Sequence, residues 1–313
     1  KDTKLKPRIT ETAKALWYVY AGLTVACALA YGVAGMSWFD ALCHSFATVA
    51  IGGFSTHDAS LGWFDSAAIE AVCILFMFLA GINFGLHYMT IHRWDPTLYF
   101  RDPEVRFYSG VMLLIAVLSS VLLVRFDVLE PGPAVRAGLF QTVSIMTTTG
   151  FTTENFAEWP SLLPFLVFLA AFTGGCAGST AGGMKAIRVL LICLQGMREI
   201  KRLIHPSAVI PVKLGRDVVP NRVIESVWGF FSVYVIVFLV MVMALLATGL
   251  DFVSAFSAVG ACLNNLGPGL GDVALNYAGV DAVGKWILCV AMLLGRLEIF
   301  TLLVLLSPAF WRS

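Results

Sequence analysis

Charge is scarce in this chain: 13% of its 313 residues are Asp, Glu, Lys or Arg, against 58% hydrophobic. A surface facing water cannot be built from that mixture, so soluble domains are excluded. The formal net charge is +1, and without a basic excess nucleic acid is excluded as a partner. Metal-ligand spacing is missing as well. Cys27, Cys43, Cys73, Cys176, Cys193, Cys262 and Cys289 all sit in apolar stretches, with no CxxC pair and no histidine at ligand distance in sequence. They read as small buried hydrophobes. The apolar stretches hold no paired carboxylates, no His/Cys constellation and no nucleophile with a base nearby, which argues against an enzyme. His44 and His57 lack partners at ligand spacing and are assigned structural or surface roles.

What is present is long apolar sequence, with a mean hydropathy of +0.83. A bilayer core of about 30 Å needs roughly 20 apolar residues per helix, and six stretches qualify: 13–35, 66–90, 104–126, 161–195, 224–248 and 284–308. The fourth is too long for one span and carries a glycine-rich interruption, so it is expected as two half-helices around an irregular segment. Between members of these pairs lie three shorter segments, 40–56, 135–153 and 252–270, each expected to open as a helix of two to three turns and to end in small or hydroxylated residues. The expected fold class is an all-α integral membrane protein. It repeats a unit of transmembrane helix, pore helix with loop, and transmembrane helix around a central pore. The units are expected at 1–92, 93–200 and 222–313, with a polar connection at 201–221 interrupted by Pro206, Pro211 and Pro220.

The repeat is visible residue by residue. Ser45 to Thr56 aligns without a gap on Thr142 to Thr153, whereas the third copy, around Asn264 to Gly269, is more divergent and its alignment weaker. Basic residues fall on one side of the spans: Lys1, Lys4, Lys6 and Arg8, then Arg93, Arg101 and Arg106, then Arg188 to Arg222, and Arg312. By the positive-inside rule that side, with both termini, is cytoplasmic. The three repeated segments then face outward among Asp58, Asp65, Glu130, Glu154, Glu158, Asp272 and Asp281, with Arg125, Arg136 and Lys285 as the few cations there. Such an acidic entrance attracts cations. Non-helical backbone is tolerated in a membrane only where protein or a water-filled cavity satisfies it. A short helix entering from outside points its partly negative C-terminus at the membrane centre, and a ring of carbonyls beyond it can replace an ion's hydration shell.

The motifs that follow this pattern are His44 to Asp58, Met146-Thr147-Thr148-Thr149-Gly150-Phe151, Gly174 to Lys185, and Gly295-Arg296-Leu297-Glu298. Together they resemble the Trk/Ktr/HKT superfamily of potassium transporters over nearly the whole chain, and most closely its TrkH branch. The resemblance implies pivotal filter glycines at Gly53, Gly150 and Gly267. It implies potassium-coordinating carbonyls from Ala50, Ile51 and Gly52, from Thr147, Thr148 and Thr149, and from Asn264, Asn265 and Leu266. Glycine at all three pivotal positions favours potassium over sodium by the same resemblance. Potassium is thus the transported ion, and no organic cofactor is expected in this chain. The family further implies a bacterial inner-membrane location, a homodimer, and a cytosolic nucleotide-binding regulatory subunit (TrkA-like) docking partly on the stretch from Met197 to Asn221.

The family closes its pore with four units and this chain shows three, so a further unit is expected upstream of Lys1, where the sequence starts without Met or a secretory leader. For Gly174, Gly175, Gly178, Ser179, Thr180, Gly182, Gly183 and Lys185 the family implies a flexible intramembrane gate. The four-residue spacing of Gly174, Gly178 and Gly182 also fits tight helix packing. Arg296, deep in the last stretch, is expected to face the pore, either repelling cations or holding the gate through backbone carbonyls. Lys185 stands between a gating role and the cytoplasmic boundary. The expected function is potassium uptake, channel-like or proton-coupled. The competing class is an alternating-access secondary cation transporter, which usually needs paired broken helices in inverted repeats, whereas one break is expected here.

Overall fold

The computed structural model describes residues 9–215, 217–297, 299–308 and 310–312. Lys1, Lys4, Lys6, Arg8 and Glu298, all named above, lie outside the described residues. The protein is all-α apart from a two-stranded antiparallel hairpin pairing Lys213 with Val218 and Leu214 with Asp217. One element order occurs three times. The first copy runs α1 (Ile9–Val33), α2 (Trp38–Val49), α3 (Ala67–Ala80) and α4 (Phe84–Arg93). After the short α5 (Thr97–Arg101) the second runs α6 (Pro103–Arg125), α7 (Pro131–Met146), α8 (Leu163–Thr173) and α9 (Ala186–Ile204). The third follows the hairpin as α10 (Asn221–Ala247), α11 (Phe252–Leu263), α12 (Ala282–Arg296) and α13 (Ile299–Leu306).

Among the described residues, three helices are long and apolar enough to cross a membrane unbroken: Ala13–Val33 of α1, α6 and α10, the first helix of each copy. This corrects the expectation of a continuous span over 66–90; the expected span over 284–308 crosses Glu298, which lies outside the described residues. The helix closing each of the first two copies is interrupted, between α3 and α4 and between α8 and α9, with α3 and α4 bent by 96° to each other. The expected single break is therefore wrong. What remains against inverted repeats is that both interrupted helices stand at the same place in a repeated order. Two smaller corrections concern lengths. α7 has 16 residues, longer than two to three turns, because Pro131 at its first position has a fixed φ suited to a helix start. Similarly, α9 runs to Ile204, into the expected connection, and stops just before Pro206.

The short helices α7 and α11 are largely enclosed, and the C-terminal half of α2 is too, although they are not the most apolar elements. Thr48, Gln141, Thr142, Ser144, Ser254, Ser257 and Asn264 are all buried. Several of them find partners there, Tyr31 Oη lying 2.8 Å from Thr48 Oγ1 and Tyr234 Oη donating to Asn264 Oδ1 at 2.9 Å, whereas Thr142 Oγ1 and Gln141 Oε1 have none. Around them, one apolar cluster joins α1, α2, α3, α6 and α7 through Tyr31, Met77, Tyr108 and Phe140, and another joins the second copy to α11 through Ile145, Phe168, Ala261 and Leu266.

Two of the short helices start at a polar side-chain cap, whereas Glu130 before α7 makes no cap bond. Ser37 caps α2 by accepting from Asp40 N at 3.1 Å, and Asp251 caps α11 by accepting from Ser254 N at 3.1 Å. Bonds from the Ser254 side chain and backbone hold the Asp251 carboxyl below the usual carboxylate range. Asp251→Ala is expected to lower stability by about 1 kcal/mol near neutral pH. Since the folded-state value is depressed, the contribution is full above the ordinary value of about 4 and disappears as pH falls through the lower folded one. Thermal unfolding in detergent at neutral and acid pH should show the wild-type advantage shrinking on the acid side.

Candidate functional site

The ends of the three short helices are built alike. After α2, Ile51 N donates to Thr48 O at 3.1 Å and Gly52 N to Ala47 O at 2.7 Å. After α7, Thr148 N donates to Ile145 O at 3.0 Å and Thr149 N to Ser144 O at 2.9 Å; after α11, Asn265 N donates to Cys262 O at 3.1 Å and Leu266 N to Ala261 O at 2.8 Å. Each is a Schellman end, whose pivot adopts the left-handed conformation usually left to glycine. Here the pivots are Ile51 (φ 55), Thr148 (φ 64) and Asn265 (φ 55), and two residues on a second left-handed position holds Gly53 (φ 66), Gly150 (φ 86) and Gly267 (φ 100). A β-branched residue at positive φ is strained. Its occurrence at equivalent points of two copies shows how strongly the surroundings dictate this backbone. The third segment, weakest in sequence, follows the same hydrogen-bond and φ pattern.

The segments also pack on one another in order. A Cβ on Gly53 would collide with the Thr149 carbonyl oxygen, and one on Gly150 with the Leu266 carbonyl oxygen. The glycines of the first two copies thus lie against the carbonyl preceding the glycine of the next, while Gly267 has open space beside it. The twelve residues named from sequence, Ala50 to Gly53, Thr147 to Gly150 and Asn264 to Gly267, are brought together. On their outer side lies a cavity of about 500 Å³ that all three glycines line, with Asp58 and Glu154 in its wall and no Lys or Arg. Burial beside Glu70 raises the Glu154 carboxyl above the ordinary range.

Beneath the segments runs the irregular stretch between α8 and α9. Gly174, Gly178 and Gly182 do not share a helix face, since residues 174–185 are non-helical. Gly174 (φ 67), Gly178 (φ 74) and Gly183 (φ 72) turn the backbone where a side chain would be strained. This loop bonds to all three copies. Thr180 Oγ1 donates to Val49 O at 2.9 Å, Gly182 N donates to Thr148 Oγ1 at 2.7 Å, and Gly183 N donates to Asn264 O at 3.2 Å. Ile51, Ala80 and the loop's Ala181 form a small buried apolar contact under the first copy. Gly175 has no room for a Cβ against Gly81 O at 2.9 Å, and Ser179 donates to Cys176 O at 2.6 Å, turning the loop on itself.

The break between α3 and α4 serves the same loop. A helix end leaves its last four carbonyls without intrahelical partners. Those of α3 and its cap are taken by Tyr108 Oη (Phe78 O, 3.5 Å), His87 Nε2 (Leu79 O, 2.9 Å), Thr180 Oγ1 (Ala80 O, 3.3 Å) and Cys176 N (Gly81 O, 2.8 Å). Two of the four donors belong to the loop, and Phe84 N returns a bond to Gly178 O at 3.0 Å. Two further residues were missed from sequence. Asn83, capping α4, sits against Gly178, and Glu104 at the start of α6 accepts from Ala177 N at 2.6 Å and Ile187 N at 3.2 Å, tying both ends of the loop.

Arg296 ends α12, and its guanidinium donates to Thr180 O at 3.3 Å. Lys185 precedes α9 at φ 77 and its Nζ donates to Ala181 O. Both line a cavity of about 360 Å³ beside the loop, together with Arg188, and among the described residues no carboxylate lines it. Among the described residues the two sides of the loop therefore differ in sign, acidic at the three glycines and basic at Arg296. His44 is held by Asp40 O at 2.8 Å and Ser55 Oγ at 2.9 Å, a structural setting.

A family model described as "TrkH: Cation transport protein" matches residues 1–313. The chain is 58% identical over 313 residues to "Trk system potassium uptake protein TrkH" of Halomonas elongata, covering all of this chain and 65% of that protein. It is 53% identical over 314 residues to the protein of the same name from Escherichia coli K12, again with 65% of the relative covered. The solved potassium transporter TrkH from Vibrio parahaemolyticus superposes with a TM-score of 0.94 at 54% identity, covering 99% of this chain and 67% of that one. The chain thus spans about 65% of the length of these curated relatives. With its whole length matched by the family model and its fold by the solved relative, the chain belongs to the TrkH family of cation transport proteins.

Proposed function

We propose that this chain forms most of a potassium-conducting pore, with the ion held by backbone carbonyls of Ala50 to Gly52, Thr147 to Thr149 and Asn264 to Leu266, and with residues 174–185 as its gate. The observation that carries this reading is the loop's position: its Thr180, Gly182 and Gly183 bond to the ends of all three short helices directly beneath the carbonyl segments. Carbonyl coordination accounts for the unlike side chains at matching places. It also agrees with the absence, among the described residues, of any His/Cys/Asp/Glu cluster able to hold a metal. A potassium ion would gather in the acidic outer cavity, exchange water for carbonyls along the segments and stop at the loop. The cations Lys185, Arg188 and Arg296 oppose its passage further.

In this reading the protein is a transport protein with no chemical step. It lies in the bacterial inner membrane with the outer cavity facing out, pairs with a second copy and docks a cytosolic nucleotide-binding (TrkA-like) subunit. The exposed Ile200, Leu203 and Ile204 at the end of α9 offer an apolar surface on the basic side for that contact. The test is ion flux through the full-length protein in liposomes. Potassium and rubidium should pass with marked preference over sodium. Saturable exchange of another solute, with no such preference, would favour the alternating-access transporter.

A further inference from the structure

On the outer side of α7, behind the second carbonyl segment, charges from three places in the chain converge. Arg136 Nε donates to Glu70 Oε2 at 2.6 Å and a terminal nitrogen to Oε1 at 2.8 Å, a two-point pairing; the same nitrogen reaches Asp65 Oδ1 at 3.4 Å from the solvent side. The Glu70 side chain is 5% exposed and that of Arg136 38%. Glu154 shares the small cavity, about 100 Å³, that these groups line. One cation thus faces three carboxylates, of which Glu70 is almost fully enclosed.

The pairing crosses between copies, since Glu70 lies in the first turn of α3 and Arg136 in α7. The backbone just past Gly150 is laced across the same boundary: Gly62 N donates to Thr152 O at 3.1 Å and Thr152 N to Ser60 Oγ at 3.2 Å. Gly62 itself has no room for a Cβ, which would lie 2.7 Å from Thr153 O. From Arg136 to the end of α7 is a rigid rod of about 15 Å, and its far end is the turn carrying Thr148 and Gly150. A tilt at the charged end therefore shifts the carbonyls at the other.

We propose that the Glu70–Arg136 pair is a positioning device for ion selectivity, fixing α7 against α3 so that the Thr147–Gly150 segment keeps its register against Gly53. This rests on the pore reading above. An apolar pair of equal volume would fill the space with comparable stability, but only the planar, two-point guanidinium contact sets the rotation and height of α7.

The experiment measures potassium and sodium flux of the full-length protein in liposomes for wild type, Arg136→Lys, and the double variant Glu70→Gln/Arg136→Gln. Lysine keeps the charge and the fold but pairs at one point. The double variant leaves no unpaired charge at Glu70, so it remains foldable even if single neutral variants are not. Both variants are expected to stay monodisperse and to conduct, with the potassium-over-sodium preference reduced at least about fivefold, as for loss of a charged hydrogen bond. A wild-type preference in either folded variant would overturn the proposal and leave the pair as a stability element only. Wild type without potassium preference would instead contradict the pore reading.

Discussion

Gly150→Ser is expected to turn a potassium-preferring path into one that admits sodium nearly as well. Two independent costs fall on this position. Its φ of 86 is strained for any residue with a side chain, and a Cβ there would collide with the Leu266 carbonyl oxygen and lie 3.0 Å from Pro268 Cδ. Strain of this kind amounts to about 1–3 kcal/mol, which is not enough to unfold a helical core but is enough to move one segment. The group that must yield is a carbonyl of the third copy, so a change in the second propagates to its neighbour. Every tenfold in ion preference corresponds to about 1.4 kcal/mol. The preference should therefore fall by roughly tenfold or more, measured as the ratio of potassium to sodium flux in liposomes. Unchanged selectivity in folded Gly150→Ser protein would mean that these carbonyls do not choose the ion.

Shortening the loop by removing Gly178 to Gly182 should produce the opposite kind of change, a large rise in flux with selectivity kept. In the structure the loop is held by Thr180 to Val49 O and Ala80 O, by Gly182 to Thr148, by Gly183 to Asn264 O, by Arg296 to Thr180 O, and by Glu104 at both ends. At a net 0.5–1.5 kcal/mol for each bond, the closed arrangement is favoured by several bonds together, and no single one dominates. Open probability in single-channel recordings should rise more than about tenfold on deletion, while Arg296→Gln, which removes one bond and one opposing charge, gives an increase of several-fold. Wild-type currents after deletion would show that the ion path does not pass the loop.

The repeat and the glycine of each segment could be read from the chain because each has a direct residue signature. The hydropathy pattern marked the long helices, and glycine marked the second left-handed position. Ile51 and Thr148 could not be found in this way. Their left-handed backbone contradicts their own preferences and comes from the Schellman end together with packing, for Ile51 against Ala80 and Ala181. The break after Ala80 was hidden because Gly81, Ile82 and Asn83 are embedded in apolar sequence. The interruption is sustained by four donors, of which Tyr108, Thr180 and Cys176 are distant along the chain, and no local window contains those three. Arg136 was likewise read only as a member of a charge distribution, and Glu104 was not singled out at all. Their roles depend on backbone and side chains tens of residues away. In each of these cases tertiary partners override local preference.

The central claim is that the ion is held by the backbone between the outer cavity and the loop. Anomalous diffraction from crystals of the full-length protein soaked in rubidium tests it most directly. The account predicts anomalous density between the segments Ala50–Gly53, Thr147–Gly150 and Asn264–Gly267, on the outer side of Thr180. Density confined elsewhere, with this position empty, would contradict it.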